Sequence, residues 1–430
     1  MLAVHHKKYS YKYSRKLSTT AHRDNICMRS RLFALNLLIL SQTSDMHKTI
    51  ILTISLLILC LIGFAQTEKV DVGIYYHPNA TAGLTELEEE QIKSSLSDFF
   101  ISLQPGQART TTIDREDFGL NYGFINQAQY SYAYKSSTHF KPGISFVKKI
   151  DDHTFEVKIS FISATDTPVL KFIHSLLLKR NTDNKFTVYS PFEHNTKGWN
   201  RKTIGDIDYI YEDARAFDNE SALSMYRFSN KIASLFSCDP IPVTYYKFRN
   251  PIDLFQSLGM DYVVNQFYAS SGGFAFQEKR TILAANNSEY YAHELCHIYT
   301  HQNRPADLLN TYADEGFATY MGGSGELSLD EILNYTERTY LTADKDLLVE
   351  FKSFYERMPN DIDFGYGLSG LFVALIHQKH GFDAVRELLY CENTMEAYFA
   401  IVHKYLNIDE ENFDIQVRAM LREYNKRNEK

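Results

Sequence analysis

The feature that most restricts how this chain can fold is the segment His293-Glu294-Leu295-Cys296-His297. In an α-helix, residues four apart lie on one face about one turn apart, so both imidazoles can reach a single metal ion while Glu294 enters the same cleft. Residues 290–300 contain no Gly or Pro, and Ser288 precedes them as a candidate N-cap. The sequence therefore predicts a helix that carries a two-histidine metal site, with Cys296 on another side of the helix, packed in the core.

Two imidazoles leave room for a third protein ligand and a water. The candidates downstream are His301, Asp314 and Glu315. His301 lies one further turn along the same helix, too far to complete a tetrahedral site, and we expect it on the surface at the helix end. The two acidic residues follow a break at residues 303–305, on a second predicted helix at residues 306–321. An antiparallel second helix can return a carboxylate to the histidine pair.

Residues 293–297 followed by Asp314-Glu315-Gly316-Phe317-Ala318-Thr319-Tyr320 resemble the gluzincin zinc metallopeptidases, especially the aminopeptidase-like branch, whose second helix carries Asn-Glu-Gly-Phe-Ala. The resemblance implies one zinc ion per chain, held by His293, His297 and Glu315, with Glu294 as general base. Two departures from the pattern are visible: 17 residues separate His297 from Glu315 where the aminopeptidases have 18, and Asp314 replaces Asn. Glu315 is favoured over Asp314 as the ligand.

The resemblance covers about residues 220–390 and implies a small sheet whose edge strand binds the substrate backbone by strand addition. Residues 272–276 stand nearest to the Gly-Ala-Met-Glu-Asn segment of true aminopeptidases, but they contain no carboxylate. Exopeptidase specificity is therefore not supported. Tyr366, in the segment 364–372, is similar to the tyrosine that these families place before a helix. The resemblance implies that its phenol donates a hydrogen bond to the tetrahedral oxyanion; the alternative is that Tyr366 only packs.

The hydrophobic patterning predicts an α+β protein of two domains. The first, a small α+β domain at residues 68–205, begins with a capping box, Thr85 with Glu88, that opens an amphipathic helix. One helix against an antiparallel sheet is its simplest arrangement, with strands predicted at residues 155–161, 172–178 and 186–189. The second, at residues 218–430, is expected to be a metallopeptidase-like catalytic domain with a small sheet and a mostly helical C-terminal part. It opens with a helix at 219–236, followed by strands at 241–248, 262–269 and 274–284 and a short helix at 253–258.

The start of the chain has the pattern of an export signal. The mostly apolar run at residues 50–64 is short for a membrane span, which needs roughly 20 residues. We therefore interpret Met46 as the true start, residues 1–45 as an upstream extension, and residues 46–65 as a signal peptide cleaved before Gln66. The alternative is an uncleaved membrane anchor through residues 50–64. Cleavage predicts an exported protein, periplasmic or extracellular, with no stable membrane span.

The distribution of charge argues against a nucleic-acid partner. Residues 1–65 carry nine Lys or Arg and two Asp or Glu, so without them the net charge changes from −8 to −15. Phosphate binding requires a basic surface. The sequence thus predicts a secreted zinc-dependent protease acting on a peptide or protein. A catalytically inactive metallopeptidase-like binding protein and a zinc hydrolase of another substrate class are the alternatives.

Overall fold

The computed structural model describes residues 73–103, 117, 119–125, 140–163, 167–263, 272–305, 308–341, 345–353 and 364–428. The upstream extension and the signal peptide lie outside these residues. The described chain is α+β, as predicted, with two sheets and a helical C-terminal part. It divides into two compact units: residues 73–192 with 258–263, and residues 193–257 with 272–428.

The first unit is a helix packed on a six-stranded sheet. Its strands are β1 (Tyr75–Tyr76), β2 (Phe140–Lys149), β3 (Thr154–Ser163), β4 (Leu170–Arg180), β5 (Phe186–Tyr189) and β9 (Met260–Val263). The order is β1-β2-β3-β4-β5, with β9 also paired to β4. Every pairing is antiparallel except β1 with β2, which is parallel. We had predicted an antiparallel sheet. The observed sheet is mixed, because the short edge strand β1 runs parallel to β2.

Helix α1 (Glu86–Ser102) covers this sheet with an aromatic core. Its predicted capping box is confirmed: the Thr85 side chain accepts from the Glu88 backbone N–H, and the Glu88 carboxylate accepts from the Thr85 backbone N–H at 3.0 Å. Phe100 of the helix meets Phe161 of β3, and Phe161 stacks on Phe172 of β4 with centroids 4.4 Å apart. Burial of these rings holds the helix to the sheet.

The second unit has a five-stranded sheet in the order β10-β11-β8-β7-β6. Its strands are β6 (Asn200–Ile204), β7 (Ile207–Tyr211), β8 (Val243–Lys247), β10 (Gly273–Phe276) and β11 (Thr281–Ala284). The β7-β8 and β8-β11 pairs are parallel, whereas β6-β7 and β10-β11 are antiparallel. Of the strands that the structure describes, β10 lies at one edge of this sheet, and the helix at residues 292–302 packs beside it.

The helices of the second unit are α2 (Phe192–Thr196), which starts at the last residue of the first unit, α3 (Asn219–Phe236), α4 (Pro251–Ser257), α5 (Ala292–Gln302), α6 (Thr311–Gly322), α7 (Leu329–Thr336), α8 (Leu347–Lys352), α9 (Phe364–His380), α10 (Phe382–Leu389), α11 (Met395–Leu406) and α12 (Phe413–Asn428). All of them except α2 and α4 contribute buried residues to one hydrophobic core with the sheet. Cys296 is fully buried in this core, as expected. Among the described residues no helix is both long and apolar enough to cross a membrane.

The strands differ from the predicted ones in three places. Strand β6 lies at residues 200–204, inside the predicted first domain, yet pairs with β7 of the second sheet. Strand β9, predicted within the second domain, pairs instead with β4 of the first sheet. The predicted single strand at 274–284 is a hairpin, β10 and β11, separated by a short 3-10 turn. Strand pairing is decided by partners far away in sequence, so local pattern alone did not assign these segments.

Candidate metal centre

The loop that leads into α5 is held by buried polar contacts. The Lys247 ammonium pairs with the Glu289 carboxylate at 2.8 Å, and both side chains are buried. The Tyr245 hydroxyl donates to the Ser288 carbonyl at 2.8 Å. Ser288 is not the N-cap that the sequence suggested, because its hydroxyl accepts from the Tyr290 backbone N–H and the helix starts later, after Tyr291. These contacts fix where α5 begins and hence the direction of its first turn.

Helix α5 brings His293, Glu294 and His297 together, as predicted from their spacing. One ligand atom from each lies within 4.8 Å of the others, and the three residues are only 6–7% exposed. Burial of three such groups at one point is costly unless they share a partner. This group could hold a metal ion.

Helix α6 carries Glu315 to the same point. Its approach depends on Gly322, where a Cβ would come within 2.4 Å of the His293 backbone nitrogen, and on Gly316, where a Cβ would meet the Ser369 hydroxyl of α9 at 2.3 Å. Any larger residue at either position would push α6 away from its neighbours. Glu315 Oε2 lies 3.5 Å from His293 Nε2 and 3.4 Å from His297 Nε2.

The other ring nitrogen of each histidine has its own acceptor. His293 Nδ1 donates to the Gly323 carbonyl at 2.6 Å, and His297 Nδ1 donates to Asp314 Oδ2 at 3.0 Å. We assign Nδ1 as the protonated nitrogen because both acceptors lack a proton at neutral pH. Each Nε2 is then left with a lone pair directed toward Glu315. Asp314 thus holds His297 through Nδ1, whereas Glu315 is the carboxylate that faces both Nε2 atoms.

Asp314 is buried among hydrogen-bond donors. Besides His297, it accepts from the Thr300 hydroxyl at 2.6 Å. Burial alone would raise its pKa, but the neighbouring His297 imidazole lowers it below the usual value for an Asp. Burial likewise disfavours the charged His297, yet the Asp314 and Glu315 carboxylates raise its pKa well above the ordinary value in the absence of a metal ion. A cation at this point is therefore strongly favoured by the two carboxylates.

His301 is only partly exposed, whereas we had expected it on the surface at the helix end. Its side chain is 22% exposed, its Nε2 is 3.8 Å from Asp314 Oδ2, and Arg304 Nη1 lies 3.0 Å from its Nδ1. The reason is that α5 continues to Gln302 and packs on α6, so its last turn stays against the carboxylate. His301 is outside the ligand group, on the far side of Asp314.

Tyr366 lies beside the cluster, whereas the Tyr320 hydroxyl is hydrogen-bonded to His377 of α9. The Tyr366 ring is nearly parallel to the His293 ring, with an angle of 11° and centroids 6.2 Å apart. It belongs to the first turn of α9 instead of preceding the helix, because α9 already begins at Phe364. The Tyr320 hydroxyl is occupied by His377 Nδ1 at 3.1 Å.

Tyr291 is a residue of the site that the sequence reasoning missed. Its ring lies over Gly273 of the edge strand, where an added Cβ would be 2.5 Å from the ring. Burial and then the carboxylates of Glu294 and Glu315 raise the pKa of its phenol well above the ordinary value. Tyr291 therefore stands between the edge strand and the buried acidic groups. Its position just before the two-histidine helix was the only available signal.

Comparison with known proteins adds no relative to this description. No protein-family model matches the chain, and no curated protein sequence matches it significantly.

Proposed function

We propose that the chain is a zinc-dependent peptidase of the gluzincin type, with His293, His297 and Glu315 as ligands. The observation that carries this proposal is the pair of distances, 3.5 and 3.4 Å, from Glu315 Oε2 to the two Nε2 atoms. Zinc ligands lie about 2.0–2.2 Å from the metal, so neighbouring ligand atoms of a tetrahedral site are roughly 3.3–3.5 Å apart. The pairs that Glu315 makes with His293 and with His297 both meet this criterion.

Glu294 also lies within reach of the histidines, but we assign it another role. Its ligand atom lies within 4.8 Å of those of the two histidines, and the resemblance to the gluzincins makes the Glu between the two histidines the general base instead of a ligand. No hydrogen bond or ion pair of its carboxylate occurs among the described residues. A buried carboxylate without a partner is suited to accept a proton.

The chemistry follows from these positions. Zinc, when bound, supplies acidity to a water molecule and polarises a carbonyl. Glu294 accepts the proton of the attacking water and returns it to the leaving amine. Gly323 and Asp314 keep the two imidazoles in the orientation and tautomer that leave Nε2 available. Tyr366 is proposed to donate its hydroxyl proton in a hydrogen bond to the developing oxyanion.

A peptide is the substrate class that the neighbouring sheet supports. Among the described strands, β10 lies at the edge of its sheet, and it packs beside α5, so an extended chain bound along it would run next to the histidine pair. Strand addition binds a peptide backbone through main-chain hydrogen bonds that are independent of sequence. This argument favours a peptidase over a zinc hydrolase of another substrate class.

Metal analysis of the purified protein is the first test. The wild type should hold close to one equivalent of zinc, and His297→Ala should lose most of it. His301→Ala is the matched control, since it makes the same change one turn further along α5, and it should keep its zinc. Full zinc retention by His297→Ala would refute the ligand assignment.

Hydrolysis of a broad peptide panel is the second test. Glu294→Gln should keep zinc and lose hydrolysis, because it removes the proton acceptor without removing a ligand. If the zinc-loaded wild type cleaves no peptide or protein in the panel, the peptidase proposal fails and the inactive binding-protein alternative takes its place.

A further inference from the structure

A groove runs along one face of α3, beside the loop that leads into α5, and its volume is about 550 Å³. The side chains that line it come from α3 and from the loop: Ser221, Ser224, Arg227, Phe228, Lys231 and Tyr290. The five α3 residues recur every three or four positions, so they form one stripe of the helix. From Ser221 to Lys231 this stripe is about 15 Å long, because an α-helix rises about 1.5 Å per residue.

The groove carries two positive charges and, among the described residues that line it, no negative one. Arg227 and Lys231 are both exposed and lie four residues apart on the same side of α3. Like charges at this spacing destabilise a helix, so their presence has a cost. Neither side chain makes an ion pair or a hydrogen bond with another described residue. The two cations are therefore available to an anion from outside the chain.

Two aromatic rings line the groove next to these charges. Phe228 lies on α3 between Arg227 and Lys231 and is 8% exposed, whereas Tyr290 is 37% exposed. Their rings meet edge to face, with centroids 6.1 Å apart. The Tyr290 hydroxyl has no hydrogen bond with the part of the chain that the structure describes, so it can donate to a ligand. The groove thus combines charge with apolar surface, which suits a ligand that has both.

The groove lies behind the metal-binding helix. Helix α3 is joined to α5 by the hydrogen bond between the Ser229 and Tyr299 hydroxyls, whose oxygens are 2.9 Å apart. Tyr299 follows His297 by two residues, which places it about 200° further around the helix. Helix α3 therefore packs on the side of α5 that faces away from His297. A ligand bound along α3 is separated from the proposed metal ligands by α5 itself.

The length and the charge of the groove together favour an acidic peptide over a small inorganic anion. At about 3.3 Å per residue, the stripe accommodates four or five residues of an extended chain. An inorganic anion would occupy only the part of the groove near the two cations. Without residues 1–65 the chain has a net charge of −15, so most of its surface repels an acidic ligand. The groove instead offers such a ligand two cations that no carboxylate of the chain opposes.

We propose that this groove binds an acidic segment of a partner protein. Carboxylates of the segment pair with the Arg227 guanidinium and the Lys231 ammonium, and an apolar side chain of the segment packs on the rings of Phe228 and Tyr290. The bound segment is not cleaved there, because α5 lies between the groove and the metal centre. This binding does not depend on the proposed peptidase activity.

Fluorescence anisotropy with short labelled peptides measures the binding. The probe contains alternating Glu and Leu, and two comparison peptides carry Gln or Lys in place of every Glu. All proteins carry Glu294→Gln, so that hydrolysis does not consume the probe. Arg227→Gln, Lys231→Gln and the double variant are compared with Lys379→Gln, which removes one exposed cation from α9 of the same unit.

The Glu peptide should bind more tightly than the Gln and Lys peptides, and added salt should weaken its binding. Arg227→Gln and Lys231→Gln should each weaken it roughly two- to fivefold, which is the range of an exposed ion pair. The double variant should bind it more weakly than either single variant, whereas Lys379→Gln should leave the affinity unchanged. Replacement of both cations by Glu should reverse the preference toward the Lys peptide.

Two results would rule out a groove for acidic peptides. One is equal affinity for the Glu and Gln peptides, or a folded double variant that binds the Glu peptide as tightly as its parent. The other is complete displacement of the peptide by an equimolar amount of inorganic phosphate, which would show a site for small anions instead. Circular dichroism checks the fold of each variant, and the peptide comparison on the parent protein decides the question without any of them. Absence of hydrolysis by the zinc-loaded wild type would remove the peptidase proposal and leave these results unchanged.

Discussion

Replacement of Asp314 tests most directly whether a residue that hydrogen-bonds to a proposed histidine ligand strengthens zinc binding. Asp314 accepts from His297 Nδ1 at 3.0 Å and from the Thr300 hydroxyl at 2.6 Å, and it is only 4% exposed. Water therefore has little access to replace a lost acceptor. Removal of such a partner of a ligating histidine lowers metal affinity by about 10- to 100-fold, which corresponds to about 1.4–2.8 kcal/mol.

The two substitutions at this position should fall at opposite ends of that range. In Asp314→Asn, the amide oxygen can still accept from His297, because the Thr300 hydroxyl can rotate and accept from the amide nitrogen. The geometry is then kept and only the charge is lost, so we expect about a tenfold weaker zinc affinity. Asp314→Ala removes both the acceptor and the charge, and its zinc affinity should fall by about 100-fold.

Competition with a chromogenic zinc chelator at fixed pH measures these affinities, and circular dichroism checks that each variant is folded. Asp383→Asn, a change at an exposed side chain of the same unit, is the control and should keep wild-type affinity. Equal zinc affinity of folded Asp314→Ala and the wild type would refute the reasoning. If Asp314→Ala does not fold, an unchanged affinity of Asp314→Asn would still count against the role of the charge.

Two further predictions concern the cleft and the first unit. Tyr366→Phe should lower kcat roughly 100- to 1,000-fold, with zinc content and KM little changed. Tyr320→Phe should keep a near-normal kcat, because the Tyr320 hydroxyl is bound to His377. The reverse pattern would show that the wrong tyrosine was chosen. The backbone of Thr85 and the Lys149 ammonium lower the pKa of Glu88 from its usual 4.5 to about 2. The charged form is thus favoured in the folded state, so its stabilisation is complete above pH 4.5 and is lost as the pH falls toward 2. In Glu88→Gln, the thermal unfolding midpoint should therefore depend less on pH between 4.5 and 2 than in the wild type. An unchanged pH dependence would show that Glu88 is not its source.

Local sequence was sufficient to predict helices whose capping residues and side-chain spacing lie within a few positions of one another. The capping box at Thr85, the helix at residues 219–236 and the two-histidine turn of α5 depend on contacts between residues a few positions apart. The α+β class follows from the same periodicities. The spacing of His293 and His297 determined their proximity, because residues four apart on a helix share one face.

Tertiary structure decided the rest. Strands β6 and β9 joined sheets other than those their sequence positions suggested, because pairing depends on distant partners. The approach of Glu315 to the histidines depends on close packing at Gly322 and Gly316, and the role of Asp314 depends on which face of α6 meets His297. Tyr291 entered the site through a loop that shows no periodic pattern. The sequence alone determined the helix with its pair of histidines, whereas long-range packing determined the groups that surround the pair.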